Sequence, residues 1–383
     1  MKMLSNLKVH LSNIAYNIPG WRTKRHIVVI ESDDWGAIRM PSRQVFDLLR
    51  SKGIPVEKCP FCSNDSLARK QDMERLFEVL LSVHDRNGRP CKITANCVVS
   101  NPDFKKIAEA DFLEYHYESI LDTFGKTKDC EHVFESWMAG RSEGIWSPQF
   151  HGREHLNVAH WLHYLQQGMP ELHLAFKHNM FGLSTSLFKK PVKSFMAALD
   201  ARDWSEMKQI NMIIRDGLRL FKELFGFESA SFIAPNYTWS PSLEVVLSEG
   251  GVRYLQGSKA QVLTDYDFTI TGRKRIRHYM GQKSACGLTY LVRNCDFEPT
   301  SQPGLDHVAC CMAQIRAAFK LHKPAVINTH RVNYMGAINP TNSDLNLRLL
   351  KRLLSAIIQE FPDVEFLDSA ELGMIMNENR TNK

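Results

Sequence analysis

The sequence predicts an α/β fold on a largely parallel sheet: short apolar runs alternate with helical patterns, and polar residues able to do chemistry follow those runs. Composition agrees, since 383 residues with 44% hydrophobic and 23% charged side chains bury a core without disulfide or metal staples. No apolar run approaches the roughly 18 residues of a membrane span.

Strands are expected at 26–30, 91–99, 149–150, 230–234, 252–255, 288–293, 325–328 and 364–367. Between the first two, Leu67, Met73, Leu76, Phe77, Leu80 and Leu81 recur at helical spacing behind an Asn64-Asp65-Ser66 start signal. A second clear helix runs from Leu345 to Ile358 and stops before Pro362. The stretch 157–227 looks wholly helical and is too long for one crossover, so it reads as a helical insertion. Residues 1–25 form an extension, 26–376 a single domain, and 377–383 a tail expected to fray. Whether the sheet is open or closed cannot be read from pattern.

Forty-eight Lys and Arg against 42 Asp and Glu leave a net charge of +6, with Arg273 to Arg277 and Lys189-Lys190 as short clusters. That is too diffuse for nucleic acid and reads as a solvated basic face. The first twenty residues lack an apolar signal core, so a cytoplasmic protein is expected. Nine cysteines, an odd number, fit free thiols in a reducing compartment. Cys59-Pro60-Phe61-Cys62 has the spacing of a redox pair, but without a thioredoxin-like context or a second pair for zinc it reads as loop cysteines.

Four strand ends carry the chemistry. Asp33-Asp34 follow the first run; at a strand end two adjacent carboxylates point apart, so one can bind a cation while the other serves as a base, although Ser-Asp-Asp is also a plain turn signal. His151-Gly152-Arg153-Glu154-His155 sets two imidazoles four apart, which meet on one face if a helical turn separates them. With an aspartate from another strand end they make a three-ligand site with open positions. Pro235-Asn236-Tyr237-Thr238-Trp239 fixes a turn whose aromatics can stack on a sugar, and Trp35 and Tyr334 are the other aromatics beside the motifs. Asn328-Thr329-His330 closes a late run and offers a candidate acid.

In this order the four motifs resemble the polysaccharide deacetylase family, the NodB-homology carbohydrate esterases, over about residues 26–372. The resemblance implies a distorted (β/α) barrel of seven or eight strands, of the glycoside hydrolase/deacetylase type. It implies one divalent metal ion, usually zinc, with cobalt, nickel, manganese and iron as alternatives, held by Asp34, His151 and His155. It further implies Asp33 as general base, His330 as general acid, the Asn236 N–H as oxyanion donor beside Tyr237, and removal of N- or O-acetyl groups from glycans.

The sequence also departs from that pattern. The first motif reads Glu31-Ser32-Asp33-Asp34, the last keeps only its histidine, and Ile233 stands where an arginine would orient the base. Arg153, Arg277, Arg293 and Arg331 are the candidates to replace it, and sequence does not choose among them. The leading expectation is a metal-dependent hydrolase acting on an acetylated sugar or glycan precursor. A weakly active or inactive glycan-binding relative that keeps the metal is the alternative. An iron(II) oxygenase would use the same ligands, but the alternating helices count against it.

Overall fold

The first apolar run extends into a nine-residue strand, β1 (Ile27–Trp35), buried throughout, in a computed structural model that describes residues 17–381. It is followed by β2 (Ile93–Cys97), β3 (Trp146–Phe150), β4 (Ser231–Ile233), β5 (Tyr254–Gly257), β6 (Thr289–Val292), β7 (Cys295–Asp296), β8 (Ala325–His330) and β9 (Glu365–Leu367). Each expected strand is present; unannounced by any apolar pattern are β7, two residues long, and two short antiparallel pairs outside this sheet, Ser100–Pro102 with Tyr117–Ser119 and Ala260–Val262 with Arg275–Arg277. The strands pair in the order β6-β5-β4-β3-β2-β1-β8-β7, all parallel. Strands β1, β2 and β8 carry apolar residues on both faces, as strands covered by helices on the outside and filled within do.

The two ends of this path are one piece of chain. Only Arg293 and Asn294 separate β6 from β7; the Arg293 N–H donates to the Gly257 carbonyl on one side and the Asn294 N–H to Val326 on the other. The segment from Thr289 to Asp296 therefore bridges both edges and closes a ring of seven strands, leaving no open edge on this path. The ring is thinnest between β3 and β4, which share one register pair, Phe150 and Phe232. Strand β9 stands outside it, beside the first residues of β1 on the side that β2 takes further along. All strands of this sheet run the same way, so their C-terminal ends form one rim, where such folds carry their sites.

Several elements differ from expectation. The helix expected from Asn64-Asp65-Ser66 begins at Lys70 (Lys70–Leu81), where Asp72 accepts from the Arg69 N–H at 3.0 Å. Asp65 is instead buried and accepts from Arg331 at 3.0 Å, because it is needed as a counter-ion. The stretch 157–227 is not wholly helical: Val158–Gln166 and Pro170–Lys177 are followed by irregular chain up to the helix Trp204–Phe225. That last helix packs on β3 and leads to β4 as an ordinary crossover. The C-terminal helix, Ser369–Thr381, runs through most of the tail expected to fray. Residues 1–16 of the expected extension, and 382–383, lie outside the described residues. Among the described residues, no helix is long and apolar enough to cross a membrane.

Gly217, on the crossover helix, faces β3 closely: a Cβ there would meet the Phe150 ring at 2.7 Å and the Arg153 Cβ at 3.0 Å. Phe150 is fully buried and directly precedes His151, so it has nowhere to retreat. Gly217→Ala should therefore destabilise the fold by about 1–3 kcal/mol through overpacking, read as a lower denaturant midpoint at unchanged slope.

Candidate metal centre

Glu31 and Asp33 lie two apart on β1, so strand geometry sends both carboxylates to the interior of the ring. Asp34 should then point the other way, but its φ of +73° is left-handed and the β1–β2 register shifts between Ser32 and Trp35. This bulge turns Asp34 back, and both aspartates line one cavity at the rim. The residues around it include Arg39, Phe61, Ser194 and His330, and its volume is about 230 Å³.

Asp34, His151 and His155 come together there, all buried, with ligand atoms within 4.8 Å of one another. Asp34 Oδ1 lies 3.4 Å from His151 Nε2 and 3.1 Å from His155 Nε2. The histidines do not sit a helical turn apart. Residues 151–156 form an irregular loop after β3, Gly152 takes a φ of +107°, and the rings meet edge to face at 5.0 Å. His151 Nδ1 lies 2.9 Å from the Ile233 carbonyl, which can only accept, so Nδ1 carries the proton and Nε2 presents a lone pair. That buried Nε2 has no hydrogen-bond partner and faces a carboxylate oxygen. Two acceptors meeting in a buried site call for a cation between them, so the donor set fits a divalent metal. Burial holds His155 below the usual imidazole range, which favours its neutral, metal-binding form. Burial works against charge at Asp34 too, but the adjacent imidazoles and Arg39 outweigh it and hold the carboxyl well below its usual value.

Arg293 takes the place of the arginine absent at Ile233. Its Nη1 and Nη2 donate to the two oxygens of Asp33 at 2.7 Å each, its Nε to Glu31 at 2.6 Å, and Nη1 also to Asn328 at 2.6 Å and Tyr237 at 3.0 Å. Asn96 adds a bond to Asp33 at 2.7 Å. Burial opposes the Asp33 charge, yet Arg293 outweighs it and keeps the carboxyl ionised, whereas burial prevails at Glu31 and raises it. The other candidates are engaged elsewhere: Arg153 with Glu154 and Asp216, Arg331 with Asp65, and Arg277 exposed on a hairpin strand.

His330 ends β8 with Nε2 3.7 Å from Asp33 and Nδ1 2.5 Å from Glu298, whose other oxygen accepts from Asn333 at 3.0 Å. Burial would neutralise His330, but the Glu298 carboxylate outweighs it and raises the imidazole to about 10. Sequence reading missed Glu298; its one signal is a place just after β7, before Pro299.

Asn236 and Tyr237 line the cavity from the turn after β4, both with φ of +54°. The two tryptophans do not. Trp35 is fully buried, packed on Trp146 at 4.5 Å with its Nε1 donating to Ser32 at 3.0 Å. Trp239, 3% exposed, stacks on His278 beneath the surface. Both expected sugar-facing rings are thus packing residues, because each follows its motif on the side of the chain turned to the core.

No protein-family model matches the chain, and no curated relative does. Solved structures that match include a protein of Mycobacterium smegmatis assigned as a polysaccharide deacetylase, 13% identical over 94% of each chain with a TM-score of 0.47. A Pseudomonas aeruginosa protein assigned the same way is 12% identical over 94% of this chain and 95% of its own, TM-score 0.47. A Parabacteroides distasonis protein assigned as a glycoside hydrolase/deacetylase is 8% identical over 94% of this chain and 73% of its own, TM-score 0.48.

Two outcomes are expected. The purified protein should hold about one divalent ion per chain by elemental analysis, and a His151→Ala, His155→Ala double variant should lose it. Arg293→Met should cost about 3–5 kcal/mol at neutral pH, because two buried carboxylates lose their counter-ion. Asp33's depressed pKa contributes stability that is complete above the unfolded value near ~4 and lost as pH falls through the folded one. The gap between wild type and variant should therefore narrow in acid urea titrations.

Proposed function

We propose that the protein is a metal-dependent hydrolase that removes acetyl groups from an acetylated sugar or glycan precursor. The observation that supports this most is one cavity flanked by a carboxylate held ionised and an imidazole held protonated, beside a three-ligand centre with open positions. A divalent ion bound by Asp34, His151 and His155 would supply Lewis acidity to the attacking water and to the acetyl carbonyl.

Asp33 is the general base. Its two oxygens are fixed by Arg293, so it takes the proton from water at one defined orientation. Its low basicity makes it a base only towards a water that is already acidified, which is the task in this class of reaction. The Asn236 N–H, on a turn set by Pro235, is the donor for the developing oxyanion, and Tyr237 bounds the substrate beside it. His330, protonated through Glu298, gives its proton to the departing sugar nitrogen or oxygen. The inactive, glycan-binding reading drew on the missing arginine at Ile233, and Arg293 removes that motive. The segment 157–203 is the domain's insertion in this reading, and Ser194 and Met196 from it narrow the cavity.

Acetate release from N- and O-acetylated sugars tests the proposal: Asp33→Asn and His330→Ala should each lower kcat by about 10²–10⁴-fold while metal content stays unchanged. Glu298→Gln should move the alkaline limb of the kcat profile down by about one pH unit or more, because His330 loses the carboxylate that holds its proton. The Asp33 and Asp34 charges facing it remain. No acetate from any acetylated sugar, with metal bound, would rule the function out.

A further inference from the structure

Cys59 and Cys62 do not sit in a plain loop. Cys59 caps the helix Pro60–Asn64, with Pro60 in its first turn, and its sulfur accepts from the Cys62 N–H at 3.4 Å. That bond keeps the Cys59 sulfur beside the backbone of Cys62. Between them Phe61 projects to the cavity, where its ring meets His330 edge to face at 5.7 Å and lies 5.2 Å from the Arg39 guanidinium.

We propose that Cys59 and Cys62 are an oxidisable dithiol, a reaction site for a hydroperoxide, and that the disulfide they form repositions Phe61 against His330. The dithiol chemistry stands on its own; only the meaning of a change at His330 rests on the function proposed above. Cys59 is 8% exposed and Cys62 1%, so Cys59 is the nearer of the two to solvent. Each thiol also acts on the other, which lowers Cys59 below the usual thiol range, with help from the Cys62 N–H and Arg39, and raises Cys62, together with its burial, well above it. Burial instead pushes Cys91, Cys97, Cys130, Cys295 and Cys311 up, the mark of inert thiols.

The step balances. The Cys59 thiolate attacks the peroxide O–O bond and forms a sulfenic acid, and the departing oxygen takes a proton to leave as water or alcohol. The Cys62 sulfur then attacks the Cys59 sulfur, and its proton leaves with the hydroxyl as water. Two thiols lose two electrons, which reduce the peroxide bond. Closing the bond sets the two sulfurs about 2 Å apart. The turn that carries Phe61 must adjust with them.

The test is to treat the purified metal-loaded protein with a small excess of hydrogen peroxide, block the remaining thiols and digest with trypsin, which cuts after Lys58 and Arg69. Peptide 59–69 should be about 2 Da lighter and recover with dithiothreitol. Cys62→Ser should stall at a dimedone-reactive sulfenic acid on Cys59, and Cys59→Ser should show neither product. In parallel, the His330 ring-proton NMR signals, assigned with His330→Gln, should shift between the reduced and oxidised forms. A full-mass peptide under conditions that oxidise the exposed Cys310 would overturn the proposal, and a disulfide that leaves the His330 signals unmoved would overturn its link to the cavity. Neither readout uses acetate release, so failure of the proposed activity is told apart from failure of the dithiol.

Discussion

Arg293 is the side chain on which the rest of the site depends. It occupies the two-residue break at which the chain crosses from β5 to β8 and closes the ring, and its guanidinium spans Glu31, Asp33, Tyr237 and Asn328. One residue thus joins the edge of the ring through its backbone and fixes Asp33 through its side chain. Two carboxylates against one guanidinium leave a deficit of positive charge, and burial makes that deficit costly. It resolves unevenly: Asp33, with two bonds from Arg293 and one from Asn96, stays ionised, while Glu31 is pushed towards its neutral form and shares a bond with Ser369 at 2.7 Å.

The second constraint is the backbone at Asp34. A left-handed aspartate inside a strand is strained, and such strain persists only where surrounding packing enforces it. Trp35 provides that packing, wedged against Trp137 and Trp146 and bonded back to Ser32 across the bulge. The tryptophan beside the aspartates thus serves their geometry, which accounts for its place outside the cavity lining. With Asp34 turned, two neighbouring carboxylates share a cavity while their partners keep them distinct, Arg293 on one and the two imidazoles on the other.

Glu298 makes the matching contribution on the far wall. A buried imidazole alone would be neutral; a carboxylate at 2.5 Å reverses that and leaves a proton to donate. Opposite protonation states within 3.7 Å are held by two separate counter-ions, Arg293 within the closing segment and Glu298 two residues after it. Phe61 and the irregular chain around Ser194 also line the cavity, from outside the ring.

The sequence by itself determined the parallel strands and the residue types at their ends, because apolar runs and the polar groups that follow them are local signals. Asp33, Asp34, His151, His155, Asn236, Tyr237 and His330 were legible for that reason. Tertiary structure alone decided the partners. Arg293 reaches Asp33 across 260 positions and Glu298 reaches His330 across 32, separations at which no local pattern operates. The same holds for closure, which needs one short segment to pair on both sides, and for Trp35 and Trp239, whose side of the chain depends on a bulge and a turn. The H-x-x-x-H spacing suggested a helix; a glycine-bearing loop met the same geometric need. Cys59 and Cys62 read as loop cysteines until the fold set the residue between them against His330.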